Sequence, residues 1–241
     1  QRVKRHPARE KAIRLLARHG EASAASQLLE AARACPYSEE EAQFCERSGQ
    51  RNKGFQPEIL DVAIAAIRPD VSIEQQALLY LQAEQGATFG IHAENTFIRS
   101  LTGIVYWSAL FADLPGAFTN QYQAGPNDLY LEDFFTVREA IILDLESRLT
   151  DDKAIRVHIE RVVKEKHLTA NSLVSWSLFD HLSLENLFAH IPIDHIRRLT
   201  AFLIRRLAQF RTGQPDLLVF YQTGGYEFIE VKGPNDQLQP V

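Results

Sequence analysis

An α+β fold is predicted, mostly helical and closing on a small sheet. Three observations predict it. Apolar residues recur at helical spacing through most of the chain before residue 210. The texture changes at Arg211-Thr212-Gly213-Gln214-Pro215. Two short runs then follow, 216–221 and 226–232, separated by the hairpin signal Thr223-Gly224-Gly225.

Residues 8–34 read as a helical hairpin. Ala12, Leu15, Leu16 and Ala17 give one stripe, His19-Gly20 the turn, and Ala24, Leu28, Leu29 and Ala32 the next stripe. Pro36 ends it, and Ser38-x-x-Glu41 is a capping box for a third helix. Ser72-x-x-Gln75 opens another helix, which Gly86 stops. Short antiparallel helices of this kind occur in tetratricopeptide arrays, although no clean period of about 34 residues is present. A helix is expected from Glu94 to Phe111, then a loop from Asp113 to Asp128 containing Pro, Gly and Asn. Further helices are expected over 132–148, 151–166, 183–190 and 194–210. An isolated hairpin is marginal in water, so more strand is expected beyond Val241. The expected division is a helical region over 1–90 and a second domain over 91–241.

The chain has 241 residues, 45% hydrophobic and 24% charged. That balance excludes disorder as the dominant state, because enough apolar surface exists to bury. No apolar run approaches the roughly 18 residues of a membrane-spanning helix. No secretory leader is read at the front, where Arg2, Lys4, Arg5 and Arg9 are followed by no apolar core. Cys35 and Cys45 are too few for a disulfide scaffold or a four-cysteine zinc site. Trp107 and Trp176 read as core anchors, and His92 and His195 as structural.

A net charge of −5 argues against a uniformly basic nucleic-acid binder. The charge is unevenly spread. Residues 1–18 carry seven Lys/Arg against Glu10 alone, and 197–211 carry Arg197, Arg198, Arg205, Arg206 and Arg211 with no acid. The stretch between them has 13 bases and 26 acids. Two basic islands flanking an acidic body are either solvated helix faces or phosphate contacts.

The most informative pattern is Pro215-Asp216 followed by Glu230-Val231-Lys232. Side chains alternate along a strand, so Glu230 and Lys232 share a face and Val231 takes the other. A hairpin closing at Thr223–Gly225 brings Asp216 beside Glu230. Two carboxylates and an ammonium then converge where burial of unpaired charge is costly. A hard divalent cation offsets that cost through oxygen ligands. The lysine can orient a water or stabilise charge on a phosphate. The competing reading is a Glu/Lys pair on an exposed edge strand, with Asp216 capping a turn. Glu94 lies in line with Phe97, Ile98, Leu101 and Val105 and fits a third metal ligand, or a first-turn acid complementing the helix dipole.

The order of a helix-borne Glu, then Pro-Asp, then Glu-x-Lys resembles the restriction-endonuclease-like PD-(D/E)xK nuclease fold with its small mixed sheet. Several segments resemble the VRR-NUC domain of the Fanconi-anaemia-associated nuclease family, in a bacterial member. They are Glu94-Asn95-Thr96-Phe97, Gln123-Ala124 with Asp128-Leu129, Asp133-Phe134-Phe135-Thr136-Val137-Arg138, Ser172-Leu173-Val174-Ser175-Trp176, Gly213-Gln214-Pro215-Asp216-Leu217 and Glu230-Val231-Lys232-Gly233-Pro234-Asn235-Asp236. The helical front is compatible with the family's tetratricopeptide-like region. The resemblance implies a nuclease dependent on Mg²⁺ or Mn²⁺, a 5′-flap endonuclease and 5′→3′ exonuclease in interstrand crosslink repair. It implies metal binding by Glu94, Asp216, Glu230 and the Val231 carbonyl. Lys232 becomes the catalytic lysine, and Gln123 lies near the scissile phosphate. DNA with a 5′ flap or branch is the implied partner, the basic arginines its grip, and the bacterial cytoplasm, at the nucleoid, the implied location. No Cys/His pattern supports the ubiquitin-binding zinc finger of the eukaryotic members. Three rival readings are a Holliday-junction-type resolvase, a non-catalytic DNA-repair module and a helical-repeat scaffold.

Overall fold

The computed structural model describes residues 6–37, 39–48, 58–63 and 70–233. The chain forms two compact units, Gln1–Ala63 and Ile64–Val241. The first contains α1 (His6–Arg18), α2 (Ala22–Ala34) and α3 (Glu39–Arg47). Ile13, Ala32 and Cys45 are buried together, with Leu28, Leu29 and Phe44 packed against them. The expected α1 stripe is displaced: Leu15 is exposed, and Ile13 takes the core position. Arg9 reaches from α1 to Glu41, its Nε donating to Oε1 at 2.6 Å, and its guanidinium lies 3.7 Å from the Tyr37 ring centroid. Glu41 is fully buried, so this ion pair joins α1 to α3. Ser38 of the expected capping box, and Arg2, Lys4 and Arg5 of the first basic island, lie outside the described residues.

The second unit opens with α4 (Ile73–Glu84), whose Ser72 cap accepts the Gln75 N–H at 3.2 Å. β1 (Ala87–His92) follows, then α5 (Phe97–Val105), α6 (Trp107–Leu110), α7 (Phe134–Arg148), α8 (Asp152–Lys166), α9 (Leu178–His181), α10 (Leu184–His190) and α11 (Ile193–Ile204). The hairpin of β2 (Leu217–Tyr221) and β3 (Tyr226–Ile229) ends the described fold. The single helix expected over 94–111 is two, broken at Tyr106, whose hydroxyl donates to Glu146 at 2.6 Å. The last helix stops at Ile204 rather than 210.

The sheet has the order β1-β2-β3 and is antiparallel throughout the described residues, not mixed. The sequence does not mark β1, because its six residues carry Gly90 and little alternation. It pairs with β2, His92 opposite Leu217 and Ile91 opposite Leu218. β2 is central, and Leu217 to Phe220 are all fully buried. Leu218 and Phe220 join the helical core with Phe97, Leu101 and Ile104 of α5 and Ile196 and Leu203 of α11. Leu217 and Val219 pack on the other face against Leu78 and Leu81 of α4. Burial on both faces explains why this strand reads as an unbroken apolar run. It also ties α4 and β1 to the sheet, so a division at residue 90 cuts through a packed layer.

The long loop is held by one buried cation. Arg138 of α7 is fully buried and binds Asp128 with both nitrogens, at 2.6 and 2.9 Å. Its Nε donates to the Ala109 carbonyl at 3.0 Å, and the guanidinium stacks 4.3 Å from the Phe134 centroid. The segment after α8 is drawn against α5 at Gly103, where a Cβ would meet Val174 Cγ2 at 2.6 Å and Leu173 Cβ at 3.0 Å. Among the described residues no helix is long and apolar enough to cross a membrane.

Arg138→Leu is expected to cost about 3–5 kcal/mol in urea unfolding, since Asp128 would keep a half-buried, unpaired charge. Arg138→Lys should recover little, because an ammonium cannot span both carboxylate oxygens and the Ala109 carbonyl. A pH dependence follows from His158, whose Nε2 bonds the Val105 carbonyl at 2.8 Å. Burial pushes its pKa below the ordinary histidine value, outweighing that hydrogen bond. Its folded pKa lies below the unfolded one, so its contribution is present above the unfolded value of about 6.5 and is lost as pH falls. Thermal midpoints should drop on going from about pH 7 to pH 5, and His158→Gln should flatten that drop.

Candidate metal centre

Three chain segments meet at Asp216. Its backbone carbonyl accepts the N–H of Ala93 at 2.8 Å and of Glu94 at 3.3 Å. Its carboxylate accepts the N–H of Val231 at 2.8 Å. The end of β1, the start of β2 and the continuation of β3 are thereby tied at one point. Glu94 does not head a helix as expected: α5 begins at Phe97, and Glu94 sits in the turn between β1 and α5, its N–H bonded to Asp216. Asn95 then turns the chain with φ +51°, a left-handed conformation that asparagine tolerates.

The expected faces beyond β3 are present. Val231 packs with Ile229 and Tyr221 against the α4 side of the sheet. Glu230 and Lys232 are exposed and paired, Nζ to Oε1 at 2.5 Å. Glu94 is also exposed and accepts from Asn95 Nδ2 at 3.1 Å. The candidate ligands expected from the sequence, Glu94, Asp216, Glu230 and the Val231 carbonyl, offer oxygen donors only, a chemistry that suits a hard divalent cation over a soft ion. Among the described residues no three His, Cys, Asp or Glu side chains form a closed cluster. What the fold supplies is the convergence of the segments, with two of the three acids on solvent-facing side chains.

Gln123 is engaged within its own loop. Its Oε1 accepts from the Thr119 N–H at 2.5 Å and the Asn120 N–H at 3.0 Å, and its Nε2 donates to Asn127 at 2.8 Å. The loop reaches α5 through Ser172. The Ser172 N–H donates to the Ala124 carbonyl at 2.7 Å, and Arg99 donates to the Ser172 carbonyl at 3.1 Å.

The second basic island splits. Arg197, Arg198, Arg205 and Arg206 line a cavity of about 570 Å³ with Tyr106 and Glu146. Arg197 and Arg198 both pair with Asp194. Arg205 binds Glu146 with two nitrogens at 2.7 Å each. Burial alone would raise the Glu146 pKa, but Arg205 and Tyr106 hold it below the usual carboxylate value. Arg205 is therefore an ion-pair partner in the packing between α7 and α11, not a free cation. The cavity adjoins Val105, about 12 Å of helical rise from Phe97 at the Glu94 end of α5. Arg211 lies elsewhere, 4.7 Å from the Tyr130 ring centroid. The Tyr130 hydroxyl in turn accepts from Arg99 at 2.8 Å. Arg99, in the first turn of α5, is not marked by any motif in the sequence. Its one signal is that it is the sole charged residue of a helix rich in apolar residues, Phe97, Ile98, Leu101, Ile104 and Val105.

This arrangement has relatives. The VRR-NUC domain family matches residues 150–241. A Fanconi-associated nuclease 1 homolog from Pseudomonas aeruginosa is 33% identical over 97% of this chain and 44% of its own length. The chain is similar to the Fanconi-associated nuclease family over nearly its whole length. The human Fanconi-associated nuclease 1 is 32% identical over 69% of this chain and 17% of its own length. A crystal structure of paFAN1 bound to 1-nt 5′-flap DNA with a gap superposes with a TM-score of 0.77 at 31% identity. It covers 99% of this chain and 46% of that one. A second, with a 2-nt 5′ flap, gives 0.75 at 31% identity, over 97% and 44%. The chain thus spans less than half the length of these relatives.

Asp216→Ala should cost more stability than Glu230→Ala. The first strands the Val231 N–H, whereas the second removes an exposed carboxylate. Urea midpoints should separate the two, with a loss of about 1–3 kcal/mol for Asp216→Ala and under about 0.5 kcal/mol for Glu230→Ala.

Proposed function

We propose that this chain carries the catalytic site of a structure-selective DNA nuclease that hydrolyses phosphodiesters with a divalent metal. The observation that carries the reading is the Asp216 junction, which ties the backbones of Glu94 and Val231 to one aspartate. Glu94, Asp216, Glu230 and the Val231 carbonyl hold the metal. The exposed Glu94 and Glu230 side chains would reach a bound ion through rotamer changes, which are fast at a surface. Bound there, Mg²⁺ or Mn²⁺ supplies an activated water and screens the charge developing on the phosphate. Lys232, beside Glu230, holds the attacking water or the phosphate oxygen. Gln123 approaches the scissile phosphate by exchanging one bond within its loop for one to DNA.

The paFAN1 complexes hold 5′-flap DNA. By analogy the substrate here is a 5′ flap or a related branched duplex. The activities proposed are flap endonuclease and 5′→3′ exonuclease, in interstrand crosslink repair. Arg211 is a phosphate contact near the acids. Arg197, Arg198 and Arg206 form a second contact around the cavity, and Arg205 acts through Glu146. Phosphate contacts position DNA without reading sequence, so selectivity is for structure. The nuclease domain begins with α4, and helices α1, α2 and α3 form a tetratricopeptide-like region that aids the grip.

The test is incubation of the full-length protein with a flap duplex labelled on the flap strand, in Mn²⁺ or EDTA. Cuts near the junction are expected in Mn²⁺ only. Lys232→Ala and Glu230→Ala should each reduce cutting by at least about 100-fold while flap affinity stays within about threefold. Flap binding without any metal-dependent cut would overturn the reading. Arg211→Ala should weaken binding and lower the salt slope by about one unit.

A further inference from the structure

Buried polar atoms normally find partners, so those that do not mark places where something else binds. Among the described residues, five buried side-chain atoms have no hydrogen-bond partner: Asn95 Oδ1, Arg99 Nε, Arg206 Nε, and both Nε2 and Oε1 of Gln214. Four of the five belong to Asn95, Arg99 and Gln214. Asn95 follows Glu94 and Gln214 precedes Asp216 by two residues, and the backbones of Glu94 and Asp216 are hydrogen-bonded to each other. The segment 211–216 runs from Arg211, against Tyr130 and hence Arg99, to Asp216 against Ala93 and Glu94. Gln214 therefore lies between the two points where that segment meets the start of α5.

Gln214 is the extreme case. Its side chain is nine-tenths buried, with 9% exposure, and neither end of its amide is satisfied. An apolar residue of the same size would fill the space without the desolvation cost. The unsatisfied set also has a chemical character. Gln214 Nε2 and Arg99 Nε are donors, and Gln214 Oε1 and Asn95 Oδ1 are acceptors. A phosphodiester offers acceptors only, and a water bound with it offers donors, so the pair meets both needs.

We infer that Gln214 is a substrate-positioning residue, its Nε2 donating to a non-bridging oxygen of the phosphodiester held at the acids. Its Oε1 accepts from a water that accompanies that phosphate. The inference rests on the nuclease reading above and extends it to a residue outside the metal-ligand set.

Two measurements test it in the full-length protein. Gln214→Met keeps length and volume but removes both hydrogen-bonding groups. Its thermal midpoint should equal or exceed that of the parent, and metal-dependent cutting should fall about tenfold. Binding is then compared in EDTA, where nothing is cut. One flap duplex is unmodified, and the other carries a neutral methylphosphonate at the phosphate where the parent cuts. The methylphosphonate should weaken the parent several-fold but leave Gln214→Met little changed, because the coupling is already lost. Multiplying penalties, or cutting by Gln214→Met within about twofold of the parent, would overturn the inference and leave the amide to a structural water. Should Gln214→Met not fold, Gln214→Leu carries the same comparison. Absence of metal-dependent cutting by the parent would instead defeat the nuclease reading, and the inference with it.

Discussion

The site depends on the hydrogen bonds of one residue, Asp216. Its carbonyl receives the amides of Ala93 and Glu94, and its carboxylate receives the amide of Val231. Three segments far apart in sequence are joined there by backbone donors. Backbone tethering matters because it leaves the acid side chains available. Glu94 and Glu230 are brought to the junction by their main chains and keep their carboxylates in solvent. The sheet thus brings the backbones of these acids together without using the carboxylates of Glu94 and Glu230 to do so.

The sheet can do this because β2 is rigid. Leu217 to Phe220 are buried on both faces, by α5 and α11 on one side and α4 on the other. The start of a strand packed so tightly cannot drift, and Asp216 is the residue just before it. β3 is more exposed, with Glu227 facing solvent and bonded to Tyr221 at 2.7 Å. Precision therefore comes from β2, while the Glu230–Lys232 stretch extends past the paired part of β3.

Helix α5 links the two charged regions of the second unit. At one end stand Glu94, Asn95 and Arg99, near Tyr130 and Arg211. At the other, Tyr106 joins Glu146 and Arg205 beside the arginine-lined cavity. One run of arginines in the sequence is thus divided between two places in the fold. The arginines also differ in freedom. Arg205 is half-buried in an ion pair with Glu146, and removing either partner would leave the other charge poorly solvated. Arg198 is mostly exposed and shares Asp194 with Arg197, a surface pairing that contributes little to stability.

The sequence by itself determined the family resemblance, the order of α7, α8, α10 and α11 but not of the short α9 between them, and the hairpin flanked by Asp216 and Glu230. These are local: a capping serine, a helical stripe, a Gly-Gly turn and a short motif are each read within about ten residues. It also placed Val231 on one face and Glu230 with Lys232 on the other, since strand alternation needs no tertiary knowledge. Only the tertiary structure decided the rest. β1 was illegible because its six residues are made a strand by pairing with β2, about 130 positions away. Glu94 was misread as helical for the same reason: its amide is taken by Asp216, so the helix starts three residues later. The arginines could be counted but not sorted, because pairing with Glu146 or proximity to Tyr130 is decided by helix packing. Gln214 carried no signal at all. An unsatisfied amide exists only once burial has removed its water, and burial is a property of the folded chain.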